Sequence, residues 1–238
     1  MRIFQKGFNF SQDGPGNRLV YHLQGCDLRC PWCSNPEGLM VNGGTEYTVD
    51  QIEEEVLRSQ MMFFDGGGVT LTGGEVTMQF AQVKELLTRL HSRKIHTCIE
   101  TNGLCTRLPE LFPVLDLLIM DIKHYDPEKH KAVTGASNEV TVRNIRHALD
   151  AGQELALRIP VIGGFNAEEE DARQFAALLS GFGGGFTLEL LAYHEYGKDK
   201  YKSLGMAYTM GPEAKVSRQR LQAYSDILKA SGLSLIKT

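Results

Sequence analysis

The stretch RLVYHLQGCDLRCPWC, residues 18–33, sets an apolar segment of strand type directly before three cysteines. Residues 18–24 are short and mostly apolar without strict alternation, which is typical of a strand covered on both faces. The segment runs into Cys26, Cys30 and Cys33, which have the spacing C-x3-C-x2-C. A buried strand that ends in reactive side chains indicates a site at the carboxyl end of a sheet strand.

Five further segments have the same short, apolar character, and segments with helical periodicity separate them. Alternating strands and helices favour an α/β fold with a parallel sheet, either a barrel or an open doubly wound sheet. The predicted strands after the first are 69–72, 95–100, 117–122, 154–159 and 186–191.

The intervening segments carry helix signals of two kinds. Thr48 begins a capping box with Gln51, and Asn166 is a candidate N-cap for a later helix. Apolar residues with i, i+3, i+4 spacing predict the helices themselves. The positions that define four of them are Val83, Leu86, Leu87 and Leu90; Val142, Ile145 and Leu149; Ala172, Phe175, Ala176 and Leu179; and Leu221, Tyr224 and Leu228.

The composition is that of an ordinary globular protein. The chain has 238 residues, of which 42% are hydrophobic and 23% charged, and we expect one domain over residues 1–238. The net charge of -4 gives no general attraction to nucleic acid or to an anionic membrane. No apolar run approaches the ~20 residues that span a bilayer, and the N-terminus lacks a signal-peptide core. The sequence therefore predicts a cytoplasmic protein that binds neither nucleic acid nor membrane.

Three cysteines within eight positions favour a metal site over disulfides in a cytoplasmic chain. Thiolates suit zinc or iron–sulfur clusters, but structural zinc needs four ligands, and neither Cys98 nor Cys105 has a finger spacing. Three thiolates on a [4Fe–4S] cluster leave one iron open to a cofactor. We favour the cluster, with Cys98 and Cys105 as non-ligands. Structural zinc and three unligated cysteines remain alternatives.

Polar residues follow the other predicted strands where each strand ends. Ligands of parallel α/β sheets and barrels bind at the carboxyl ends of the strands, so these residues are expected to share one rim with the cysteines. They are Gly73, Gly74 and Glu75; Glu100, Thr101 and Asn102; Asp121 and Lys123; Arg158; and Tyr193 and His194.

A series of motifs runs in order along most of the chain. It consists of Asp13-Gly-Pro-Gly-Asn-Arg18, Gly25-Cys26, Asn35-Pro-Glu37, Gly66-Gly-Gly-Val-Thr70, Gly73-Gly-Glu75, Thr101-Asn-Gly103, Asp121-Ile-Lys123, Arg158 and His194-Glu-Tyr-Gly-Lys-Asp-Lys-Tyr201. With these motifs the chain resembles the radical S-adenosylmethionine superfamily, and within it the glycyl radical enzyme activating enzymes, most closely those of pyruvate formate-lyase. The resemblance implies a partial (β/α)6 TIM-like barrel that forms a single radical SAM domain. It also implies one cluster, because the segment 34–48 is too short for a ferredoxin-like insertion.

The resemblance also implies a reaction. Cys26, Cys30 and Cys33 would hold a [4Fe–4S] cluster whose open iron binds the amine and carboxylate of S-adenosylmethionine. Reductive cleavage would give a 5′-deoxyadenosyl radical, which abstracts hydrogen from a glycine of a partner glycyl radical enzyme. No side chain would act as acid or base. A flavodoxin or ferredoxin would supply the electron, and we expect a monomer.

Four residues would contact the cofactor or its surroundings by this resemblance. Gly73 and Gly74 would let backbone groups approach the cofactor amine, although two glycines also suit a tight turn. Glu75 would either hold that strand end in shape or contact the amine. Trp32 would pack on the adenine or shield the cluster, or it is a plain core residue.

Four more residues would bind other parts of the cofactor. Lys123, Arg158 and His194 would offer cationic or hydrogen-bond donors to its carboxylate, and Arg forms bidentate pairs with carboxylates. Asp121 would accept a hydrogen bond from a ribose hydroxyl.

Two further sites follow from the resemblance. A monovalent cation would be held by Glu100, Thr101 and Asp121. The glycine-bearing loop of the substrate would be bound by Asp13, Gly14 and Arg158, although Gly-Pro-Gly equally predicts a turn.

The target of the reaction is open. His22, Ser34, Val76 and Glu100 depart from the pattern of that family and leave the identity of the target enzyme undetermined. A radical SAM enzyme that acts on a small molecule or a short peptide is one alternative. A zinc-binding structural module is another.

Overall fold

One twisted sheet organises the described residues, which in this computed structural model are 1–10 and 12–236. Its strands are β1 (Arg2–Asn9), β2 (Arg18–Leu23), β3 (Thr45–Glu46), β4 (Gly68–Gly73), β5 (Thr97–Thr101), β6 (Leu117–Asp121), β7 (Glu154–Val161), β8 (Thr187–Ala192) and β9 (Leu235–Ile236).

The strand order is β3-β1-β2-β4-β5-β6-β7-β8-β9. All neighbours from β2 to β9 pair in parallel, whereas β1 pairs antiparallel with both β2 and β3. The sheet is open, with β3 and β9 at its edges. The six predicted strands correspond to β2 and to β4 through β8, and the predicted partial barrel is confirmed.

Helices cover the outer side of the sheet. They are α1 (Val49–Ser59), α2 (Phe80–Ser92), α3 (Pro127–Thr134), α4 (Glu139–Asp150), α5 (Glu169–Ser180), α6 (Lys198–Ser203) and α7 (Arg218–Ala230). Short 3-10 helices occupy Pro36–Leu39, Gln60–Met62, Val76–Gln79, Leu108–Val114 and Pro212–Ala214. Among the described residues, no helix has the length and apolar character needed to cross a bilayer.

The predicted capping box at the start of α1 is confirmed. Thr48 Oγ1 accepts a hydrogen bond from Gln51 N at 3.1 Å, and Gln51 Oε1 accepts one from Thr48 N at 2.9 Å. Val83 and Leu87 of α2 are buried, as their helical spacing predicts, and they join the core between helices and sheet.

The predicted N-cap role of Asn166 is wrong. The residue before α5 is Glu168, whose backbone N donates to Asp171 Oδ2 at 3.0 Å. Asn166 is fully buried, and its amide donates to the carbonyl oxygens of Lys123 and Pro160, both at 2.8 Å. It therefore joins the loop after β6 to β7 instead of starting a helix.

The inner side of the curved sheet carries buried polar side chains. A buried charge needs a partner, and these residues pair with one another across the inner face, where Arg158 of β7 reaches Glu100 of β5, two strands away. They are Arg18, Thr70, Thr72, Glu100, Arg158 and Glu189. The main apolar core thus lies on the outer side, and the interior holds this polar network beside a small apolar cluster.

Candidate functional site

A cleft of about 260 Å³ opens where the parallel strands end. Most of the predicted site residues line it, and they come from five different strand ends and from the cysteine loop. Those that line it are Cys26, Cys30, Trp32, Cys33, Gly73, Gly74, Glu100, Thr101, Asp121, Lys123, Arg158 and His194. Asp13, Gly14 and Glu75 lie outside its wall.

The three clustered cysteines line this cleft as free thiols. Burial raises the pKa of Cys26 to about 12 and the pKa values of Cys30 and Cys33 to about 11. Each thiol lies within electrostatic range of another of the three. Buried thiols gathered on one wall fit a cluster that takes three soft ligands, because metal ligation offsets the cost of thiolate burial.

Backbone contacts hold the start of the cysteine loop. Gly25 N donates to Gly38 O at 2.8 Å, and Glu75 N donates to Gly25 O at 2.7 Å. Arg29 reaches back over the loop, and its guanidinium donates to Cys26 O at 2.7 Å. The loop is therefore fixed to the end of β4 before any cofactor binds.

The segment after β8 holds the end of the same loop. A Cβ on Gly197 would lie 2.3 Å from Cys33 O, so only glycine permits this contact. Tyr201 of α6 donates its hydroxyl to Cys30 O at 3.5 Å and is 5% exposed. This contact places the motif that ends at Tyr201 against two of the candidate ligands.

The alternative of structural zinc has no preformed site in residues 1–10 and 12–236. No group of three or more His, Cys, Asp or Glu side chains there is arranged to hold a single metal ion. Cys98 is fully buried in the barrel interior with Leu117 and Ile119, and Cys105 packs against the outer core. Both lie away from the cleft wall.

The two glycines after β4 are required by backbone packing. Gly73 has φ 109°, and a Cβ there would lie 2.5 Å from Leu23 N. A Cβ on Gly74 would lie 2.2 Å from Gly25 O. Inside the protein, these two glycines allow the end of β4 to lie close to β2 and to the cysteine loop. Their approach to the cofactor amine stays a prediction.

Glu75 is a buried carboxylate that accepts several hydrogen bonds. Its carboxylate accepts hydrogen bonds from Thr77 N at 2.9 Å, Thr101 Oγ1 at 2.7 Å and Asn102 N at 2.8 Å. Burial raises the pKa of Glu75 by more than these donors lower it, so the overall pKa is raised. Of the two roles left open by the sequence, the contacts favour the one that holds the ends of β4 and β5 in shape.

Lys123 places a buried positive charge beside the cysteines. It is 8% exposed, and its Nζ lies 2.7 Å from Asp121 Oδ2. Burial lowers the pKa of Lys123, but Asp121 and the Cys30 thiol raise it by more, so the overall pKa is raised. A fixed ammonium here favours anionic groups in the cleft, such as thiolates or a carboxylate.

Arg158 is the centre of a buried ion network. Its Nη1 lies 2.6 Å from Glu100 Oε1 and its Nε 2.7 Å from Glu189 Oε2. Its Nη2 donates to the Gln12 carbonyl oxygen, and Glu100 Oε2 accepts from Thr72 Oγ1 at 2.7 Å. Glu189 was not predicted as a site residue. An acidic residue inside the otherwise apolar strand β8 is the sequence feature that could have indicated it.

The residues predicted to bind a monovalent cation already have protein partners. Glu100 is paired with Arg158, and Asp121 is paired with Lys123. Thr101 Oγ1 donates to Glu75. A cation would have to displace part of this network, so this site stays a prediction.

Trp32 and His194 both line the cleft, and each contacts another aromatic ring. The Trp32 ring centroid lies 4.9 Å from that of Phe165, in a small apolar group with Ile162. His194 stacks on Tyr196 at 4.0 Å between centroids, and burial lowers its pKa. His194 is therefore neutral at neutral pH and can act as a hydrogen-bond donor rather than a cation.

Asp13 and Gly14 lie outside the cleft wall, although Asp13 is within electrostatic range of Arg158. The Asp13 carbonyl accepts from Thr70 Oγ1 at 2.6 Å, deep on the inner face of β4. Gly14 has φ 109°, and a Cβ there would lie 3.2 Å from Arg18 Nε. The neighbouring Gln12 carbonyl accepts a hydrogen bond from Arg158 Nη2. Their predicted role in substrate binding stays a prediction.

The sequence profile of the Radical SAM superfamily matches residues 20–176. The chain belongs to this superfamily. Among curated proteins, the pyruvate formate-lyase 1-activating enzyme of Escherichia coli K12 is 31% identical over 225 residues, 92% of each chain. The pyruvate formate-lyase-activating enzyme of Staphylococcus epidermidis is 34% identical over 208 residues, 83% of each chain. Within radical SAM proteins, the chain thus belongs to the family of these activating enzymes.

A solved structure supports the radical SAM fold. A domain of pyruvate-formate lyase-activating enzyme from Bacteroides vulgatus aligns with a TM-score of 0.60 and 27% identity. The alignment covers 72% of this chain and 98% of that domain. The predicted family is confirmed, and so are the predicted cofactors, a [4Fe–4S] cluster and S-adenosylmethionine, which radical SAM enzymes use. The roles of single residues remain predictions.

Proposed function

We propose that this radical SAM enzyme activates a glycyl radical enzyme of the pyruvate formate-lyase type. The observation that carries the proposal is the set of three cysteines on one cleft wall, in a chain 31% to 34% identical to such activating enzymes. When bound, the cluster and S-adenosylmethionine supply a 5′-deoxyadenosyl radical that removes hydrogen from a glycine of the partner.

The residues of this chain bind and orient the reactants. Cys26, Cys30 and Cys33 hold the cluster, and Lys123 stabilises negative charge next to them. Arg158 is kept in the cleft by two carboxylates, so its position does not depend on the cofactor. Two carboxylates and the Gln12 carbonyl already accept from Arg158, so a cofactor carboxylate binds it by competing with these acceptors.

The cleft also limits contact with water. Trp32 packs on Phe165, and Tyr193 is 9% exposed. Aromatic rings packed along the cleft exclude water from it and so protect a radical from competing hydrogen donors in solvent. No titratable side chain needs to donate or accept a proton in this function, since the abstraction transfers a hydrogen atom.

Several further features are part of the proposal. A flavodoxin or ferredoxin supplies the electron, and the chain acts as a monomer in the cytoplasm, where free cysteines stay reduced. A monovalent cation at Glu100, Thr101 and Asp121 requires the pairs with Arg158 and Lys123 to open.

The test mixes the anaerobically reconstituted, reduced chain with S-adenosylmethionine and candidate glycyl radical enzymes. We expect a glycyl radical signal in electron paramagnetic resonance with one candidate, together with 5′-deoxyadenosine. Formation of 5′-deoxyadenosine with every candidate silent would instead favour the small-molecule or short-peptide alternative.

A further inference from the structure

A side-chain hydrogen bond joins the cysteine loop to the end of β5. Asn102, which lines the cleft, donates from its Nδ2 to Asp27 Oδ1 at 2.7 Å. Asp27 directly follows Cys26 in the chain, so this bond holds the residue next to a candidate cluster ligand. A hydrogen bond to a carboxylate is about twice as strong as one between neutral groups. The bond is therefore a firm link between the cleft wall and the first of the three cysteines.

The residue on the other side of Cys26 is held by the same strand ends. Glu75, which follows β4, donates from its backbone N to Gly25 O at 2.7 Å. The Glu75 carboxylate in turn accepts from Asn102 N at 2.8 Å. Glu75 thus holds the residue before Cys26, and Asn102 holds the residue after it. Because Glu75 and Asn102 are also bonded to each other, the contacts close a ring around Cys26.

Asn102 is fixed in the orientation that this ring needs. Its Oδ1 accepts from Leu104 N at 2.9 Å, which leaves Nδ2 as the group that faces Asp27. Its backbone oxygen accepts from Thr141 Oγ1 of α4 at 2.8 Å. Asn102 is 8% exposed, so water competes little for its amide. The donor to Asp27 is therefore preorganised by β5 and α4.

A different part of the chain contacts the backbone of the other two cysteines. Cys30 O accepts from Tyr201 of α6 at 3.5 Å, and Gly197 packs against Cys33 O. Both contacts come from the segment after β8, whereas the ring around Cys26 comes from the ends of β4 and β5. The cysteine loop thus has two separate anchors. Loss of the first should affect Cys26 and spare Cys30 and Cys33.

We propose that Asn102 is a positioning residue for Cys26 and that it acts through Asp27. The inference rests on the cluster assignment of the proposed function and deepens it, because it names what aligns one ligand with the cleft wall. Without the bond, the start of the cysteine loop can move away from the strand ends, and the cluster is held less firmly. Asn102 takes no part in hydrogen abstraction. A bond that contributes only to the overall stability of the fold is the competing explanation.

The first experiment breaks the bond and then restores it. Asn102→Asp keeps an acceptor for Leu104 N but sets a second carboxylate against Asp27. We expect this cluster-loaded variant to lose iron to a chelator about tenfold faster than the wild type, measured by the anaerobic decay of cluster absorbance. Adding Asp27→Asn exchanges donor and acceptor, so the double variant regains the hydrogen bond. Its rate should return to within about twofold of the wild type.

The second experiment reports on Cys26 alone and needs no cluster. The cluster-free chain is treated briefly with a thiol-alkylating reagent and digested with trypsin. Cleavage after Arg18 and Arg29 gives the peptide 19–29, which contains Cys26 and neither Cys30 nor Cys33. We expect Cys26 to be alkylated about fivefold faster in Asn102→Asp, because the loop opens locally there. The alkylation of Cys30 and Cys33 should stay at the wild-type rate, and the double variant should restore that of Cys26.

Asn17→Asp is the matched control. Asn17 is 7% exposed and donates from its Nδ2 to Met62 O at 2.8 Å, at the end of β2 opposite the cysteines. Its substitution breaks a bond of similar burial and should change neither iron loss nor the alkylation of Cys26. Asp27→Ala removes the acceptor at an exposed position, and it should reproduce both effects of Asn102→Asp even where that variant does not fold.

The inference is overturned if the double variant loses iron as fast as Asn102→Asp, or if Asp27→Ala behaves as the wild type does. It is also overturned if all three cysteines are alkylated faster to the same extent, since that result means a general loss of stability. A wild type that holds its cluster and shows the Cys26 effect but yields no glycyl radical contradicts the proposed function alone. A wild type that cannot be loaded with iron contradicts both.

Discussion

Cys30 is the most buried of the three clustered cysteines. It is 8% exposed, its carbonyl accepts from Tyr201, and Lys123 lies within electrostatic range of its thiol. We predict that Cys30→Ala abolishes stable cluster binding, because two thiolates cannot hold a cubane against loss of iron. Iron content and visible absorbance after anaerobic reconstitution measure this directly.

Cys105→Ala is the control for that substitution. Cys105 packs against the outer core and lies away from the cleft, so its removal should leave the iron content at the wild-type level. Equal iron in Cys30→Ala and in the wild type would contradict the assignment of the cluster ligands.

Glu189 provides a test of the buried ion network around Arg158. Its carboxylate lies 2.7 Å from Arg158 Nε, and it is 4% exposed. Glu189→Gln removes one of two negative charges beside a buried guanidinium, so we expect a loss of about 2 kcal/mol in the free energy of unfolding. Urea denaturation measures the loss. Glu169→Gln, whose ion pair is on the surface of α5, should change it by less than about 0.5 kcal/mol.

Single residues were predictable where their chemistry is visible in the chain itself. Cysteine spacing and the glycines after β4 stand out in the sequence, whereas the partners of a buried charge do not. Arg158 was predicted to face a ligand, but nothing in its neighbourhood of the sequence indicates that Glu100 and Glu189 hold it. Such pairs arise from strand register, which only the folded sheet defines.

At the scale of elements, the contact between α6 and the cysteine loop is tested by Gly197→Ala. The added Cβ would lie 2.3 Å from Cys33 O, so either the segment 195–203 or the loop must move. We expect overpacking to cost about 1–3 kcal/mol locally and to speed the loss of the cluster to an iron chelator. The decay of cluster absorbance measures this rate.

Gly7→Ala is the matched control, because a Cβ there meets nothing within 4 Å. It should retain its cluster as the wild type does. If Gly197→Ala also decays at the wild-type rate, the segment after β8 does not hold the loop.

Strands and helices with many apolar residues could be predicted from the sequence, whereas exposed, very short or polar ones could not. The parallel strands β2 and β4 through β8 are short apolar segments in the sequence. The helices that cover them have apolar residues at helical spacing along one face. β1 was missed because it is mostly exposed, and β3 and β9 because each has two residues. α3 has a polar sequence, and it begins with an Asp126 cap that periodicity does not detect.

At the scale of the whole molecule, the cleft joins strand ends that are far apart in sequence. Residues from β4 to β8 and from the cysteine loop meet only in the folded chain. A ligand bound there contacts the native state and not the unfolded chain, so it stabilises the fold by mass action.

This coupling predicts how the cofactors change thermal stability. At a concentration of S-adenosylmethionine about 100 times its Kd, the cluster-loaded chain should gain about 2.7 kcal/mol, which raises Tm by roughly 5–10 °C. The cluster-free chain lacks the open iron that takes the cofactor amine and carboxylate, so its Tm should rise by much less. Anaerobic thermal denaturation followed by circular dichroism compares the two forms. An equal rise with and without the cluster would mean that the nucleotide binds elsewhere than beside the three thiols.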